Sequence, residues 1–529
     1  MTVPTIPQPE LTRRKGHTAG SAAMLLMASA LLSGVLGMVR IWYVNRLFGV
    51  GPAQDAYRAA FALPDLLAYF LIGGAASISL ITILNRYRET GPDNQPDDAG
   101  ADHALSVILT TMLVVLGAGV LLGEIFAPQY VWLANKGFRH DELRFHLCTV
   151  MTRIILPGQI CFFIGSVMGA RLQVRKIFIY QAIAQPLYPA GIIAGAFLLH
   201  RQIGIYSVAV GVFLGMFVGY AVLNSLGAFR TGLRYRPIVN FKDPAFLEWL
   251  KLSLPLMIGV SLVMFDRQFL NYFASIREGG ITLLGNAKDL FNAPFNIIGP
   301  AAGAASLPFF ASLFQQRRAY DFSASVGRSV SRLFAVGMLV SGWMIALAPW
   351  LMDLLRNGKF KHADAVAVTH LFIILSFTLS IWAVQGIYAR AFYAASDTRT
   401  PAITGTIITI ASIPIYWALF HSLDLTGLAI ASDIGILVQT ITLALLLHKK
   451  RLVSLAHLEF AELARALVAA LLAWAAAYAL VSHLPAVKTW RGDLLIISAG
   501  STAWAIVAFA VLYVAKSKLP NQILRRRSA

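Results

Sequence analysis

The stretch LMIGVSLVMFDRQFLNYFA, residues 256–274, places a carboxylate and a guanidinium, Asp266 and Arg267, inside a long apolar segment. A charged side chain at the centre of a bilayer costs roughly 2.5–3.5 kcal/mol even on permissive insertion scales, so it is retained only where it faces water or a partner. Lys288 and Asp289 interrupt the next apolar segment in the same way. These charges predict a membrane protein with a polar interior site.

The composition of the chain agrees with this interpretation. Hydrophobic residues make up 57% and charged residues only 13%, and the mean hydropathy of +0.67 is far from that of a soluble domain. A membrane span needs about 20 mostly apolar residues, which predicts an all-α membrane protein with about fourteen transmembrane helices. The predicted helices cover residues 22–47, 55–84, 105–127, 147–170, 178–199, 204–226, 248–274, 282–313, 327–355, 366–394, 401–420, 426–447, 462–483 and 493–515.

The basic residues indicate the orientation of the chain. The formal net charge is +19, but Lys and Arg lie between apolar segments and form no stripe with interleaved aromatic residues, which argues against a nucleic-acid partner. They concentrate in the N-terminal tail, residues 1–20, in the even-numbered loops, and in the C-terminal tail, residues 517–529. The positive-inside rule therefore predicts that both tails are cytoplasmic.

Enzyme and metal chemistry find little support. The sequence has no H-E-x-x-H, G-x-S-x-G or P-loop motif, so we expect neither catalysis nor a metal or cofactor. Cys148 and Cys161 lack paired spacing and are interpreted as buried packing residues. The acidic loop 85–104 is conceivable as a metal site, but its carboxylates have no rigid spacing, so a solvated linker is preferred.

An internal repeat suggests how the helices are grouped. Pro64 followed by GGAAS at 73–77 recurs as Pro294 followed by AGAAS at 302–306, an offset of about 230 residues. Such runs also recur by chance, since small residues let helices approach closely. The repeat nevertheless predicts two parallel six-helix lobes about a pseudo-two-fold axis, with the site between them. The lobes are residues 21–228 (helices 1–6) and 229–450 (helices 7–12), followed by helices 13 and 14 in residues 451–516.

Charged residues of three helices are the candidates for the site. Asp266 and Arg267 of helix 7 and Lys288 and Asp289 of helix 8 form two polar seams that predict a hydrated cavity. Arg40 of helix 1 either joins the cavity or snorkels to the membrane interface. The alternative to a substrate pathway is an internal ion-pair network, Arg267 with Asp289 and Lys288 with Asp266. Cations outside such pairs would suit phosphate, which accepts several charge-assisted hydrogen bonds.

Several stretches resemble one known family. SGVLGMVR at 33–40, LPDLL at 63–67, NGKF at 357–360 and RAFYAASDTRTP at 390–401 are similar to the MurJ (MviN) lipid II flippase family, in the multidrug/oligosaccharidyl-lipid/polysaccharide exporter superfamily. The resemblance implies a protein of the bacterial cytoplasmic (inner) membrane. It also implies that the substrate is lipid II, the lipid-linked peptidoglycan precursor, moved to the outer leaflet by alternating access, with helices 13 and 14 lining a groove for the lipid tail.

The resemblance also assigns roles to residues. The family's cavity typically holds arginines on helices 1, 2 and 8, but Gly34 stands where helix 1 usually has Arg, and Lys288 and Asp289 replace an Asp-Arg pair. These departures leave open a divergent paralogue carrying another polyprenyl-linked glycan. The predicted substrate-binding residues are Arg40, Arg267 and Lys288, and the predicted gating or ion-pairing residues are Asp55, Asp65, Asp266 and Asp289.

Two rival functions make different demands on the sequence. A drug or cation antiporter of the same superfamily would need an acidic cavity, opposite to the bias seen here. A polytopic glycosyltransferase would need a large extracytoplasmic domain, whereas the odd-numbered loops are short. We therefore predict a lipid-linked glycan flippase, active as a monomer among membrane lipids, with cell-wall synthesis proteins as further candidate partners.

Overall fold

A computed structural model describes residues 19–71, 74–89, 98–258, 262–484 and 489–519. Every regular element in these ranges is helical, which confirms the predicted all-α class. Of the two predicted tails, only residues 19, 20 and 517–519 fall within them. Gly73 of the predicted repeat lies outside the described residues.

The first half of the chain forms ten α-helices in the described ranges. They are α1 (Ala19–Phe48), α2 (Pro52–Ala59), α3 (Ala62–Leu71), α4 (Gly74–Glu89), α5 (Asp98–Ala134), α6 (Glu142–Ile155), α7 (Gly158–Val174), α8 (Ile179–Ile203), α9 (Tyr206–Gly215) and α10 (Leu223–Arg230), with a π-helical stretch, Met216–Val222, between α9 and α10.

The second half forms nine more in the part of the chain that is described. They are α11 (Pro244–Ile258), α12 (Leu262–Ala274), α13 (Gly280–Gln315), α14 (Ala319–Asp353), α15 (His362–Ser376), α16 (Leu379–Ala394), α17 (Arg399–Lys449), α18 (Phe460–His483) and α19 (Trp490–Val514).

Predicted segments and observed helices differ where the backbone is interrupted. Segment 55–84 is divided into α2, α3 and α4. Pro64 lies in the first turn of α3, where its missing N–H has no helical partner to lose. Conversely, α17 runs through two predicted segments, and a left-handed residue, Asp424 (φ 54°), separates them.

Fewer helices qualify as membrane spans in the described ranges than the sequence predicts. Nine helical stretches in the described ranges are long and apolar enough to cross a membrane, and the pair α15 and α16, bent by 43°, would make a tenth. The count of fourteen transmembrane helices stays a prediction.

The loops alternate between the two ends of the bundle. We call the end at which α1 begins the terminal end and the opposite end the distal end. At the distal end, backbone contacts join the predicted lobes: Lys359 N donates to Arg46 O at 3.1 Å, and Gly137 N donates to Ser275 Oγ at 2.9 Å. The two halves are therefore held together where their distal loops meet.

Hydrophobic packing differs between the distal end and the terminal end. One cluster near the distal end contains residues from both halves, such as Met151 and Tyr416. Towards the terminal end, one cluster around Val167 belongs to the first half together with the start of α11, and a separate cluster around Phe322 belongs to the second half. Among the described side chains, the packed core is therefore continuous between the halves at the distal end. At the terminal end it forms two clusters, and the start of α11 is the part of the second half that packs on the first.

The prediction of a solvated linker at 85–104 is wrong at both ends, since residues 85–89 form the end of α4. Residues 98–104 form the first turns of α5, and Asp102 is buried. Arg171 donates to both oxygens of Asp102, at 2.7 and 3.1 Å, because a buried carboxylate is tolerated only with a well-placed partner. Residues 90–97 lie outside the described residues.

The two cysteines lie where the sequence predicts. Cys148 and Cys161 are free thiols, and both are buried. Each belongs to the cluster that spans the two halves, so their role is packing.

Asp397 organises the turn between α16 and α17. It accepts hydrogen bonds from Thr400 N at 3.0 Å, from Thr400 Oγ1 at 2.6 Å and from Lys450 Nζ at 2.5 Å. Partial burial opposes ionisation, but the Lys450 and Thr400 hydrogen bonds outweigh it and lower the pKa of Asp397 to about 2.

We expect Asp397→Ala to lower the free energy of unfolding by about 1 kcal/mol at pH 7, since a cap-like acceptor and an exposed ion pair are lost. A carboxylate with a lowered folded-state pKa stabilises above its unfolded value of about 4 and loses this effect as the pH falls towards 2. The difference between the two proteins should therefore shrink across that window. Thermal unfolding of both proteins in detergent at several pH values measures it, and a pH-independent difference would contradict the assignment.

A charged cavity between the two halves

A cavity of about 430 Å³ lies between the two halves of the bundle. Its walls come from α1, α2, α3 and α8 on one side and from α12, α13 and α16 on the other. It brings together six of the seven predicted site residues, which are Arg40, Asp65, Asp266, Arg267, Lys288 and Asp289. The facing polar seams predicted from the sequence therefore line a common space.

Lys288 is held in the cavity by contacts with three side chains. Its ammonium lies 2.5 Å from Asp266 Oδ2, donates to Ser432 Oγ at 2.9 Å and sits 4.8 Å from the centre of the Trp382 ring. Tyr416 OH donates to the second Asp266 oxygen. This confirms the pairing of Lys288 with Asp266 that the ion-pair alternative predicted.

The other predicted pairing, Arg267 with Asp289, is wrong. Arg267 Nη1 lies 2.5 Å from Asp65 Oδ2, in a pair that remains one-third to one-half exposed. Asp289 is instead bound by Arg58 Nη1 at 2.9 Å. The reason is the break in segment 55–84, because α3 places Asp65 against α12 while α2 places Arg58 against α13.

Arg58 is a cavity residue that the sequence analysis missed. Besides binding Asp289, it donates to Asn286 Oδ1 at 2.5 Å and is largely buried. The signal was available, because Arg58 is a charged residue near the start of the second predicted apolar segment. It lies one helical turn after Asp55, on the helix where the resembling family holds an arginine.

Arg40 differs from the other three cations of the cavity. It lines the cavity, which favours the interior position over snorkelling to the interface. Among the described residues, its guanidinium has no carboxylate within 4.0 Å and no hydrogen-bond acceptor. The described residues that line the cavity therefore include four cations and three carboxylates, and Arg40 is the cation among them without a carboxylate within 4.0 Å.

Asp55, the seventh predicted site residue, lies outside the cavity lining. Its side chain is fully buried near the distal end. It accepts hydrogen bonds from Gly279 N at 2.6 Å, from Thr282 N at 2.8 Å and from Thr282 Oγ1 at 2.7 Å. These donors belong to the start of α13 in the other half, so Asp55 ties the two halves together, with Arg144 Nη1 4.0 Å away.

Comparisons with known proteins agree with this architecture. A family model described as lipid II flippase MurJ matches residues 44–500. A probable lipid II flippase MurJ of Vibrio cholerae serotype O1 is 25% identical over 425 residues, 78% of this chain and 80% of that protein.

Two solved structures share the fold. A lipid II flippase MurJ in an inward closed conformation superposes with a TM-score of 0.73 at 18% identity, over 93% of this chain and 99% of that one. An inward-facing multidrug resistance MATE family transporter of the MOP superfamily gives 0.62 at 15% identity, over 81% and 98%. Since the family model covers most of the chain, this protein belongs to the MurJ lipid II flippase family.

Proposed function

We propose that this protein carries lipid II across the bacterial inner membrane, from the leaflet at the terminal end to the leaflet at the distal end, with the terminal end in the cytoplasm. The observation that carries the proposal is the set of four cations that line a cavity between the two halves, among which Arg40 has no carboxylate within 4.0 Å in the described part of the chain. Membership in the MurJ family supplies the identity of the lipid.

The charges of the cavity suit the headgroup of such a lipid. A pyrophosphate is costly to move through a hydrocarbon layer, and guanidinium and ammonium groups replace its water through charge-assisted hydrogen bonds. The pair of Arg267 and Asp65 is one-third to one-half exposed, so Arg267 is accessible to an incoming anion. Arg40 and Arg267 are thus the cations most available to an incoming anion.

The asymmetric packing supports alternating access by rocking of the two halves. Headgroup entry needs an opening at one end while the other stays closed. The continuous distal core and the hydrogen bonds of Asp55 close the distal end, whereas the described side chains are divided into two clusters at the terminal end. Net movement of an anionic headgroup outward would be favoured by the membrane potential, by about 2.3 kcal/mol per charge per 100 mV.

The lipid tail is assigned to the last two helices, which lie outside the two predicted lobes. We assign the groove to α18 and α19, which pack on one another and on α14 through small residues such as Ala469 and Ala473. The outer surface of α19 is apolar, with Ile506 and Phe509 exposed. A polyprenyl chain could stay in this hydrocarbon-facing region while only the headgroup enters the cavity.

Another polyprenyl-linked glycan remains the second candidate substrate, because Lys288 and Asp289 stand where the resembling family has an Asp-Arg pair. Mass spectrometry of the lipid that co-purifies with the protein distinguishes the two. Reconstituted vesicles then test movement of that lipid without ATP. Retention of lipid II and its movement would support the proposal, whereas a different glycan lipid would overturn the assignment of the substrate.

We expect Arg40→Gln to slow lipid movement at least about tenfold, since a hydrogen bond to a charged group contributes about 1.5–3 kcal/mol and 1.4 kcal/mol is tenfold. Thermal stability should hardly change, because Arg40 has no partner to lose among the described residues. Arg46→Gln, on the exposed face of the same helix, is the matched control. Equal rates of lipid movement in the two variants would show that Arg40 does not contribute to the site.

A further inference from the structure

Four buried polar atoms of the cavity wall have no hydrogen-bond partner among the described residues. They are Gln54 Oε1, Arg58 Nε, Asn271 Nδ2 and Trp382 Nε1. Gln54 is 1% exposed and Asn271 is 6% exposed. Buried polar groups are nearly always paired, so these atoms need partners from water or from a ligand that enters the cavity.

Two of these four residues are neutral amides. The Gln54 amide is bound at one end to Asn45 Oδ1, at 2.5 Å, and Asn45 is bound in turn to Asn286 at 3.2 Å. Gln54 Nε2 donates this hydrogen bond, so Oε1, an acceptor, is the end without a partner among the described residues. On the opposite wall, Asn271 Nδ2 of α12 likewise has no partner among the described residues.

The amides lie deeper in the cavity than the cations. Because α2 begins at the distal end, Gln54 is one turn closer to that end than Arg58. Because α12 runs towards the distal end, Asn271 is one turn beyond Arg267. A separation of four residues corresponds to about 6 Å along a helix. The cavity thus has a charged layer and, distal to it, a neutral layer of amides and apolar side chains.

We propose that Gln54 and Asn271 form a subsite for an N-acylated amino sugar, the neutral unit attached to the pyrophosphate of the lipid. This inference rests on the proposed function and adds the group that is recognised beyond the phosphates. Asn271 Nδ2 donates to the carbonyl oxygen of the acyl group, and the free end of the Gln54 amide accepts from its N–H. The two layers follow the order of the headgroup, in which the pyrophosphate lies next to the tail and the sugar lies further in.

The test compares three probes that share one tail. Undecaprenyl pyrophosphate has no sugar, a second lipid carries N-acetylglucosamine on the pyrophosphate, and a third carries glucose. Affinities are measured in detergent for the native full-length protein, for Asn271→Leu and for Gln54→Met. Asn224→Leu is the matched control, because Asn224 is also buried with an unpaired amide oxygen but does not line the cavity.

We expect the native protein to prefer the N-acetylglucosamine lipid over the glucose lipid, and Asn271→Leu to reduce that preference about three- to tenfold. Undecaprenyl pyrophosphate should bind Asn271→Leu and the native protein equally. Gln54→Met should act in the same direction, and Asn224→Leu should leave the preference unchanged. Thermal unfolding verifies that each variant is folded.

Two outcomes overturn the subsite, and they differ from failure of the proposed function. If Asn271→Leu weakens all three probes equally, or if the native protein does not distinguish the N-acetylated sugar from glucose, the subsite is wrong while the binding of a lipid pyrophosphate stands. If the native protein binds none of the three probes, the proposed function fails, and the subsite fails with it.

Discussion

Lys288→Met is expected to lower the free energy of unfolding by about 3–5 kcal/mol, because it leaves the carboxylate of Asp266 buried without its cation. Asp266 is 4% exposed and, within the described part of the chain, would keep a single hydrogen bond, from Tyr416. The variant also removes a cation from the cavity wall, so lipid movement should fall as well. The two effects have different origins and need separate measurements.

The double variant Lys288→Met with Asp266→Asn separates them. Removing both charges of a buried pair is often nearly neutral, whereas removing one is strongly destabilising. Thermal unfolding in detergent should therefore place the double variant well above the single one, while lipid movement in vesicles should stay low in both. Arg318→Met, which removes one member of an exposed pair with Asp321, should change stability by less than about 1 kcal/mol. Equal stability of the single and double variants would show that Asp266 is solvated well enough to remain without Lys288.

Much of the fold follows from the sequence because the bilayer imposes one strong rule. A segment of about 20 apolar residues has few alternatives to a helix, since every backbone group must be paired within the segment. The helical interruptions follow less directly. Examples are the break between α2 and α3 and the kink at Asp424. The periodicity of apolar residues along the sequence does not predict either of them.

The members of the site were easier to predict than their partners. Arg40, Asp266, Arg267 and Lys288 are identified as charges inside apolar segments. Such charges are costly in a bilayer unless they face a cavity or a partner. Partners depend on which helix faces which, and a single break redirected Arg267 to Asp65 and Asp289 to Arg58. The amides of Gln54 and Asn271 are harder still to predict as site residues, since Gln and Asn occur in many loops and interfaces. Their position in the cavity wall distinguishes them.

Asp55→Ala is expected to shift the protein towards a state that is open at the distal end. In the structure this carboxylate accepts three hydrogen bonds from the start of α13, and those contacts cross between the halves. Opening the distal end must break them, so they stabilise the closed state selectively. Their loss should cost the closed state roughly 2–4 kcal/mol relative to the open one, about a 30- to 1000-fold change in the equilibrium.

Spin labels at Gln202→Cys and Ser422→Cys, exposed positions at the distal ends of the two halves, report this change as a longer inter-label distance. Thr282→Val removes the hydroxyl donor but keeps the backbone donors, so it should shift the distances in the same direction by less. Asp353→Ala is the control, because the partners of Asp353, Arg356 and His362, lie in its own half. Since the Asp55 hydrogen bonds act only on the closed state, identical distance distributions in Asp55→Ala and the native protein would mean that the other distal contacts are sufficient to keep that end closed.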